Sequence, residues 1–210
     1  MNKNNIDIFE EGRKLPLIQE FYTLQGEGFH TGKAAYFIRI GGCDIGCRWC
    51  DTKVSWNIDM HTLATTDSII DAAYKSEAKS IVVTGGEPTS YNLEYLSAKA
   101  KEKGLQTFIE TSGAYKLTGK WNWICLSPKV QKPPLKEINE IADELKVIIY
   151  NDEDFLWAEE SAKKVSDKCK LYLQAEWSKR EENTPKIIEY IKKDPKWNLS
   201  VQLHKYLQIP

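Results

Sequence analysis

The chain has almost no surplus charge of either sign: 29 Lys and Arg stand against 30 Asp and Glu in 210 residues, a formal net charge of −1. No Lys/Arg run exceeds two residues. The basic face that grips a nucleic-acid backbone is therefore missing, and no nucleic-acid partner is expected. No apolar stretch approaches the roughly 18 residues of a transmembrane helix, and the polar opening MNKNNIDIFEEGRK lacks the apolar core of a secretory leader. No membrane partner is expected, and the expected location is cytoplasmic. Repeats, low-complexity tracts and Pro/Gly/Ser linkers are also missing, so residues 1–210 are expected to form a single domain. A domain of this size buries roughly 70% of the surface its unfolded chain exposes. It needs neither a disulfide nor a structural metal merely to fold.

What the chain does have is an odd number of cysteines, five, of which Cys43, Cys47 and Cys50 fall close together while Cys125 and Cys169 stand alone. In a reducing compartment that clustering points to metal ligation and not to a disulfide framework. Cys125 and Cys169, on or beside apolar segments, read as small buried apolar residues.

Short runs rich in β-branched and aromatic residues predict strands over 34–40, 80–84, 106–111, 123–127, 145–150, 170–174 and 199–203. Helical spacing predicts a helix starting at Thr65 or Thr66, then helices over 92–103, 134–143, 152–165 and 184–193, with Gly104 as a stop and Pro185 in a first turn. Alternating strands and helices imply parallel pairing through right-handed crossovers. Too few strands are present for a closed eightfold barrel, so the expected fold is α/β, an incomplete parallel β/α barrel. The unusual segments GGCDIGCRWCDT, TGGEPTS, ETSG, SPK and QAEW each follow a strand. In parallel α/β folds ligands bind at that edge of the sheet.

Cys43, Cys47 and Cys50 have C-x3-C-x2-C spacing with Gly41, Gly42 and Gly46 nearby. Thiolates favour zinc, copper(I) or iron–sulfur clusters. Three ligands leave two readings: a [4Fe–4S] cluster with one iron open to a small molecule, or a structural zinc completed by His30, His61 or a distant cysteine.

C-x3-C-x2-C after a first barrel strand, with GGEP after the second, resembles the radical S-adenosylmethionine (SAM) superfamily. Together with FYTLQGEGFHTGKAAYFIRIGGCDIGCRWCDTKVSW, ETSG, SPK and the closing QLHKYLQIP, it resembles the 7-carboxy-7-deazaguanine synthases, from about Glu20 to the last residue. The resemblance implies a partial barrel of the radical SAM type and a carbon–nitrogen lyase. Its implied cofactors are a [4Fe–4S] cluster on Cys43, Cys47 and Cys50, SAM on the open iron, and Mg²⁺. It further implies ring contraction of 6-carboxy-5,6,7,8-tetrahydropterin with loss of ammonia in queuosine or other 7-deazapurine synthesis, with SAM regenerated. A flavodoxin-like external electron donor and a homodimer are implied as partners.

The same resemblance carries roles to matching positions. Leu24, Gln25, Gly26, Glu27, Arg39, Thr84 and Pro210 fall to the pterin, the last through its terminal carboxylate. Thr52 falls to Mg²⁺. Trp49, Cys50, Asp51, Gly86, Ser127, Pro128, Lys129, Gln174, Ala175, Glu176 and Trp177 fall to SAM, with Glu110 and Ser112 of ETSG beside them. No residue is assigned as a catalytic acid or base, because the radical is generated on SAM. Ala175 departs from the family pattern, which has proline there. Read alone, Gln25 and Glu27 suit a polar surface turn, Trp49 a packing role, His204 a structural one and Pro210 a frayed end. Arg39, a guanidinium in an otherwise apolar strand, needs a carboxylate, either the substrate's or a protein Asp or Glu. An activase that makes a glycyl radical on a partner protein and a non-catalytic zinc module are the competing functions.

Overall fold

The strand segments alternate in a way that demands a sheet with two unlike faces. In AAYFIRI, positions 36, 38 and 40 are apolar while 35, 37 and 39 run Ala, Phe, Arg; in ELKVII, Leu145, Val147 and Ile149 alternate with Glu144, Lys146 and Ile148. The computed structural model of the chain describes Phe9 and residues 11–210. Most of the polar opening segment lies outside those residues.

The elements are β1 (Lys14–Leu24), β2 (Ala34–Ile40), β3 (Thr62–Thr65), α1 (Thr66–Lys75), β4 (Ser80–Gly85), α2 (Glu94–Glu102), β5 (Gln106–Thr111), β6 (Trp123–Leu126), α3 (Lys136–Ile141), β7 (Glu144–Ile149), α4 (Glu153–Ala162), β8 (Lys170–Ala175), α5 (Arg180–Lys193), β9 (Trp197–Ser200) and α6 (Leu203–Leu207). They build one sheet in the order β3-β1-β2-β4-β5-β6-β7-β8-β9. From β2 to β9 every pairing is parallel, whereas β1 is antiparallel to both β2 and β3. The sheet is open, with β3 and β9 at its edges, which is the expected partial barrel.

On the helix-covered face Tyr36, Ile38, Ile40, Ile81, Val83 and Ile109 pack against Ile69, Ile70, Leu93 and Leu96. Further along, Leu145, Val147, Ile149 and Leu173 pack against Ile138, Ala158 and Ile187. Each such buried aliphatic side chain contributes roughly 1.5–3 kcal/mol of hydrophobic stabilisation. The alternate positions Phe37, Arg39, Thr84, Glu110, Lys146 and Gln174 line a cavity on the other face. The connection between β1 and β2 runs under this cavity and ties to the far edge of the sheet, where the Gly28 amide donates to Ser200 Oγ at 2.9 Å.

Several boundaries differ from expectation. β1 and β3 are absent from the sequence reading because KLPLIQEFYTL shows no clean alternation in burial and neither strand belongs to the β/α rhythm. The last strand ends at Ser200 and not at 203: the Leu203 amide leaves the sheet to donate to Gly26 O at 2.9 Å, and α6 starts there. α5 begins at Arg180, so Pro185 lies inside it and not in its first turn. The extra turn is held by buried Asn183, whose amide donates to Ile149 O (3.1 Å) and Tyr150 O (2.9 Å), against the one helical bond that proline removes. The start of α1 is as read, with Thr65 Oγ1 accepting from the Ser68 amide at 3.2 Å.

Candidate active site

The loops after β2, β4, β5, β6 and β8 meet on one cavity of ≈ 250 Å³. Room for this convergence comes from missing side chains. A Cβ on Gly85 would lie 2.2 Å from Ile40 O, and one on Gly86 would lie 2.2 Å from Gly42 O and 3.2 Å from Cys43 Cβ. The double glycine thus lets the end of β4 close on the end of β2 and on the cysteine loop, with Gly86 N to Ile40 O at 2.7 Å and Glu87 N to Gly42 O at 2.9 Å.

The glutamate of GGEP, Glu87, is among the residues lining the cavity, but its carboxylate is already engaged. It is buried, and its two oxygens accept from the Thr89 amide (3.1 Å) and hydroxyl (2.7 Å), the Thr111 hydroxyl, and the Ser112 amide (2.8 Å) and hydroxyl. The hydroxyls of the ETSG loop are consumed in locking that loop to the end of β4. Ser112 lines the cavity, but its hydroxyl is already committed.

Cys43, Cys47 and Cys50 gather in one small apolar cluster with Ile45, Ala114 and Tyr115, and all three line the cavity. The loop is anchored by Tyr91, whose hydroxyl donates to Gly41 O at 2.9 Å. Burial pushes the Cys43 and Cys47 thiols up; at Cys47 the Lys129 ammonium opposes that rise. All five cysteines are free, with Cys125 and Cys169 buried. Neither His30 nor His61 lines the cavity. His30 stacks on Phe108 at 4.6 Å, and His61 bonds Val54 O at 2.8 Å. Among the described residues no three His, Cys, Asp or Glu converge as ligands of a single ion. A structural zinc takes four convergent protein ligands, whereas a cubane cluster bonds each thiolate to a different iron. Three thiols spaced around one cavity fit the cluster.

Another part of the lining, its floor, is densely bonded. Lys146, 3% exposed, pairs with Glu27 Oε2 and stands 3.9 Å from Glu110 Oε2. Gln25 Nε2 donates to Glu110 Oε1 (2.9 Å) while its Oε1 accepts from the Glu27 amide (3.0 Å). Thr84 Oγ1 donates to Glu110 Oε2 at 3.4 Å, and Gln202 Nε2 to Glu27 Oε1 at 2.9 Å. Burial alone would raise the Glu27 carboxyl, but the Lys146 ammonium and hydrogen bonds from Lys146 and Gln202 outweigh it and hold it down to about 2. Burial alone would likewise depress Lys146, yet Glu110 and Glu27 push it well above the ordinary lysine range. Gln25, buried, and Glu27, half-buried, are members of this network and not a surface turn.

Arg39 is the contrasting cation. Its Nη1 donates to Thr52 Oγ1 at 3.3 Å, and Thr52 Oγ1 in turn donates to Asp51 Oδ1 at 3.1 Å. Among the described residues no carboxylate forms a salt bridge with it, so the protein Asp or Glu partner considered for Arg39 is not there.

Around the rim, Trp49, Asp51, Gly86, Ser127, Lys129 and the segment Gln174–Trp177 line the cavity; Pro128 does not. The Pro128 carbonyl turns away, toward Trp157 Nε1 at 3.5 Å. Lys129 Nζ donates to Ser127 Oγ at 2.7 Å and lies 5.7 Å from the Trp49 ring centre. Gln174 is buried, with Oε1 accepting from Ser200 Oγ at 2.6 Å. Glu176 caps the turn that follows β8. Leu24 and Gly26 line the lower edge and Pro210 the upper. Gln208 takes a left-handed conformation (φ 55°) that returns the tail to the cavity, with the Ile209 amide donating to His204 O at 3.1 Å.

Lys146, Gln202, His204 and Lys205 reach the site without having been read as functional. His204 fills the space above Gly26, where a Cβ would lie 2.3 Å from its Nδ1, and Lys205 joins Asp51 Oδ2 (3.0 Å) to Gln202 Oε1 (3.1 Å). A signal for Lys146 existed: like Arg39, it is a charge at an alternate position of an apolar strand.

The Radical SAM superfamily profile matches residues 37–117. The 7-carboxy-7-deazaguanine synthase of Flavobacterium psychrophilum is 59% identical over 201 residues, covering 96% of this chain and 95% of that protein. That of Synechocystis is 47% identical over 194 residues, covering 92% and 93%. The crystal structure of QueE from Escherichia coli matches with a TM-score of 0.81 over 97% of this chain and 100% of that one, at 28% identity.

Proposed function

The chain belongs to the 7-carboxy-7-deazaguanine synthases, radical SAM lyases of queuosine biosynthesis, and from that premise we propose how its own residues carry the reaction. Cys43, Cys47 and Cys50 hold a [4Fe–4S] cluster, and SAM lies against Trp49, Cys50, Asp51, Gly86, Ser127, Lys129 and the segment Gln174–Trp177. Together these groups supply the one-electron radical chemistry that protein side chains lack. Pro128 contributes by shaping the SPK turn and not by contact. Lys129, whose pKa burial lowers, presents a cation beside Cys47 and stabilises a thiolate there.

The substrate is a 6-carboxytetrahydropterin. Arg39 receives its carboxylate, and the Gln25, Glu27 and Glu110 floor receives its donor-rich ring. Leu24, Gly26 and Thr84 shape that floor, and the Pro210 carboxylate closes it from above. A single neutral hydroxyl, Thr52, is a weak magnesium ligand, so Mg²⁺ would be completed by substrate oxygens and water. Arg39 donates to that same hydroxyl in the structure. A substrate carboxylate that draws Arg39 away therefore frees Thr52 Oγ1 for the ion. A flavodoxin-like protein supplies the electron, and the enzyme works as a homodimer, which light scattering would test.

The observation that carries this reading is Arg39, a cavity-lining guanidinium with no carboxylate partner among the described residues. In an anaerobic assay with SAM, reductant, Mg²⁺ and 6-carboxytetrahydropterin, Arg39→Met should raise KM by ~10–100-fold, the worth of a charged hydrogen-bonded pair. Cluster content should stay unchanged. An unaltered KM removes Arg39 from the substrate site.

A further inference from the structure

Lys146 has more carboxylate than it needs. A buried ammonium costs several kcal/mol unless paired, but one carboxylate neutralises it, and Glu27 already does. A second, Glu110, stands 3.9 Å away on the other side. Glu110 on β5 is in register with the small buried Cys125 on β6, and Cys125 with Glu144 on β7, so Glu110 meets Lys146 diagonally across a position that carries no long side chain. Two carboxylates around one ammonium leave a net negative charge at the floor of the cavity. Each retains unused lone pairs, since among the described residues Glu27 accepts from the side chains of Lys146 and Gln202, and Glu110 from those of Gln25 and Thr84.

Side by side, two carboxylates without a cation share a proton, because like charges at close range do not both ionise. A protonated oxygen would present a donor where a ring N–H needs an acceptor. We propose that Lys146 is a positioning residue, which keeps Glu27 and Glu110 simultaneously ionised as paired acceptors for adjacent N–H donors of the substrate ring. This rests on the reading of Glu27 as a ring-binding carboxylate. The other charged and titratable groups facing the trio are Glu144 on β7, Cys125 on β6, Lys129 beyond β6, Asp51 on the cysteine loop and His204 on α6. Burial lowers the pKa of His204 against the opposing pull of Glu27, which makes it a weaker counter-ion than Lys146.

The test is the pH profile of kcat/KM for the pterin in cluster-loaded Lys146→Met. A ~10-fold or larger rise in KM near neutral pH is expected, together with an acid limb, absent from the parent enzyme, that lowers kcat/KM as pH falls from about 7.5 to about 6. Lys146→Arg should restore the flat profile. The double variant Glu27→Gln, Lys146→Met should lose the acid limb while keeping the high KM. A merely structural lysine predicts lower stability with a profile parallel to the parent's, and that outcome overturns the proposal. If Lys146→Met does not fold, Lys146→Gln carries the same expectation and the same refutation. Glu27→Gln separates the two levels. If it raises KM while Lys146→Met changes neither KM nor profile, only the role of Lys146 falls; if it leaves KM unchanged, the ring-binding reading of Glu27 falls with it.

Discussion

Two walls of one cavity are built on opposite rules. At the floor, Glu27, Glu110 and Lys146 are tied together and to Gln25, Thr84 and Gln202. Elsewhere in the lining, three free thiols lie in an apolar cluster, and among the described residues Arg39 bonds only the Thr52 hydroxyl. The floor is organised before any ligand arrives, and its low-dielectric network has nearly everything it requires. The other wall holds groups whose best partners are a metal cluster and an anion. Stability is therefore stored in the floor, and unmet chemistry in the cysteine wall.

The largest test of that contrast is at the thiols. Alanine at Cys43, Cys47 or Cys50 should abolish the visible absorbance of the reconstituted cluster and all turnover, while the melting temperature of the cluster-free protein shifts little, because no thiol is bonded to a protein partner that matters for packing. A large loss of stability in the cluster-free form would break the comparison. The two cavity-lining cations, buried Lys146 and half-buried Arg39, sharpen it next. Lys146→Met should cost ~3–5 kcal/mol in urea unfolding at neutral pH, since it strands a buried carboxylate. Arg39→Met should stay within ~1 kcal/mol, because no salt bridge is lost. Equal costs would mean that Arg39 has a protein partner after all.

The smallest effect is in acid. The folded-state pKa of Glu27, about 2, lies below its ordinary 4.5. Its contribution is thus fully present above 4.5 and lost as pH falls toward 2. The stability difference between the parent chain and Glu27→Gln, measured by denaturation across that range, should narrow with acidification; a constant difference would show that Glu27 is not held down in the folded chain.

How much of this was legible depended on the range of the interaction. The rim loops were readable because each motif follows a strand, and strand periodicity is local. Arg39 was readable as a charge inside AAYFIRI. The same sign in ELKVII passed unused for Lys146, since a lysine in a strand is as often at an exposed alternate position, and burial is not written in the segment itself. β1 was hidden because an antiparallel strand with irregular burial has no distinct pattern. Gln202 and Glu27, which share a hydrogen bond, are 175 residues apart, and nothing local joins them.

The sequence by itself determined the class of sheet and the family, and it put the motif-bearing loops at one edge of that sheet. Those follow from spacing and alternation within a few residues. Only the tertiary structure decided which cation is satisfied and which is left open, and that the glutamate of GGEP locks two loops together. A buried charge takes its meaning from the partners within about 4 Å, and in this fold those partners come from strands, loops and a terminus that the chain brings together only on folding.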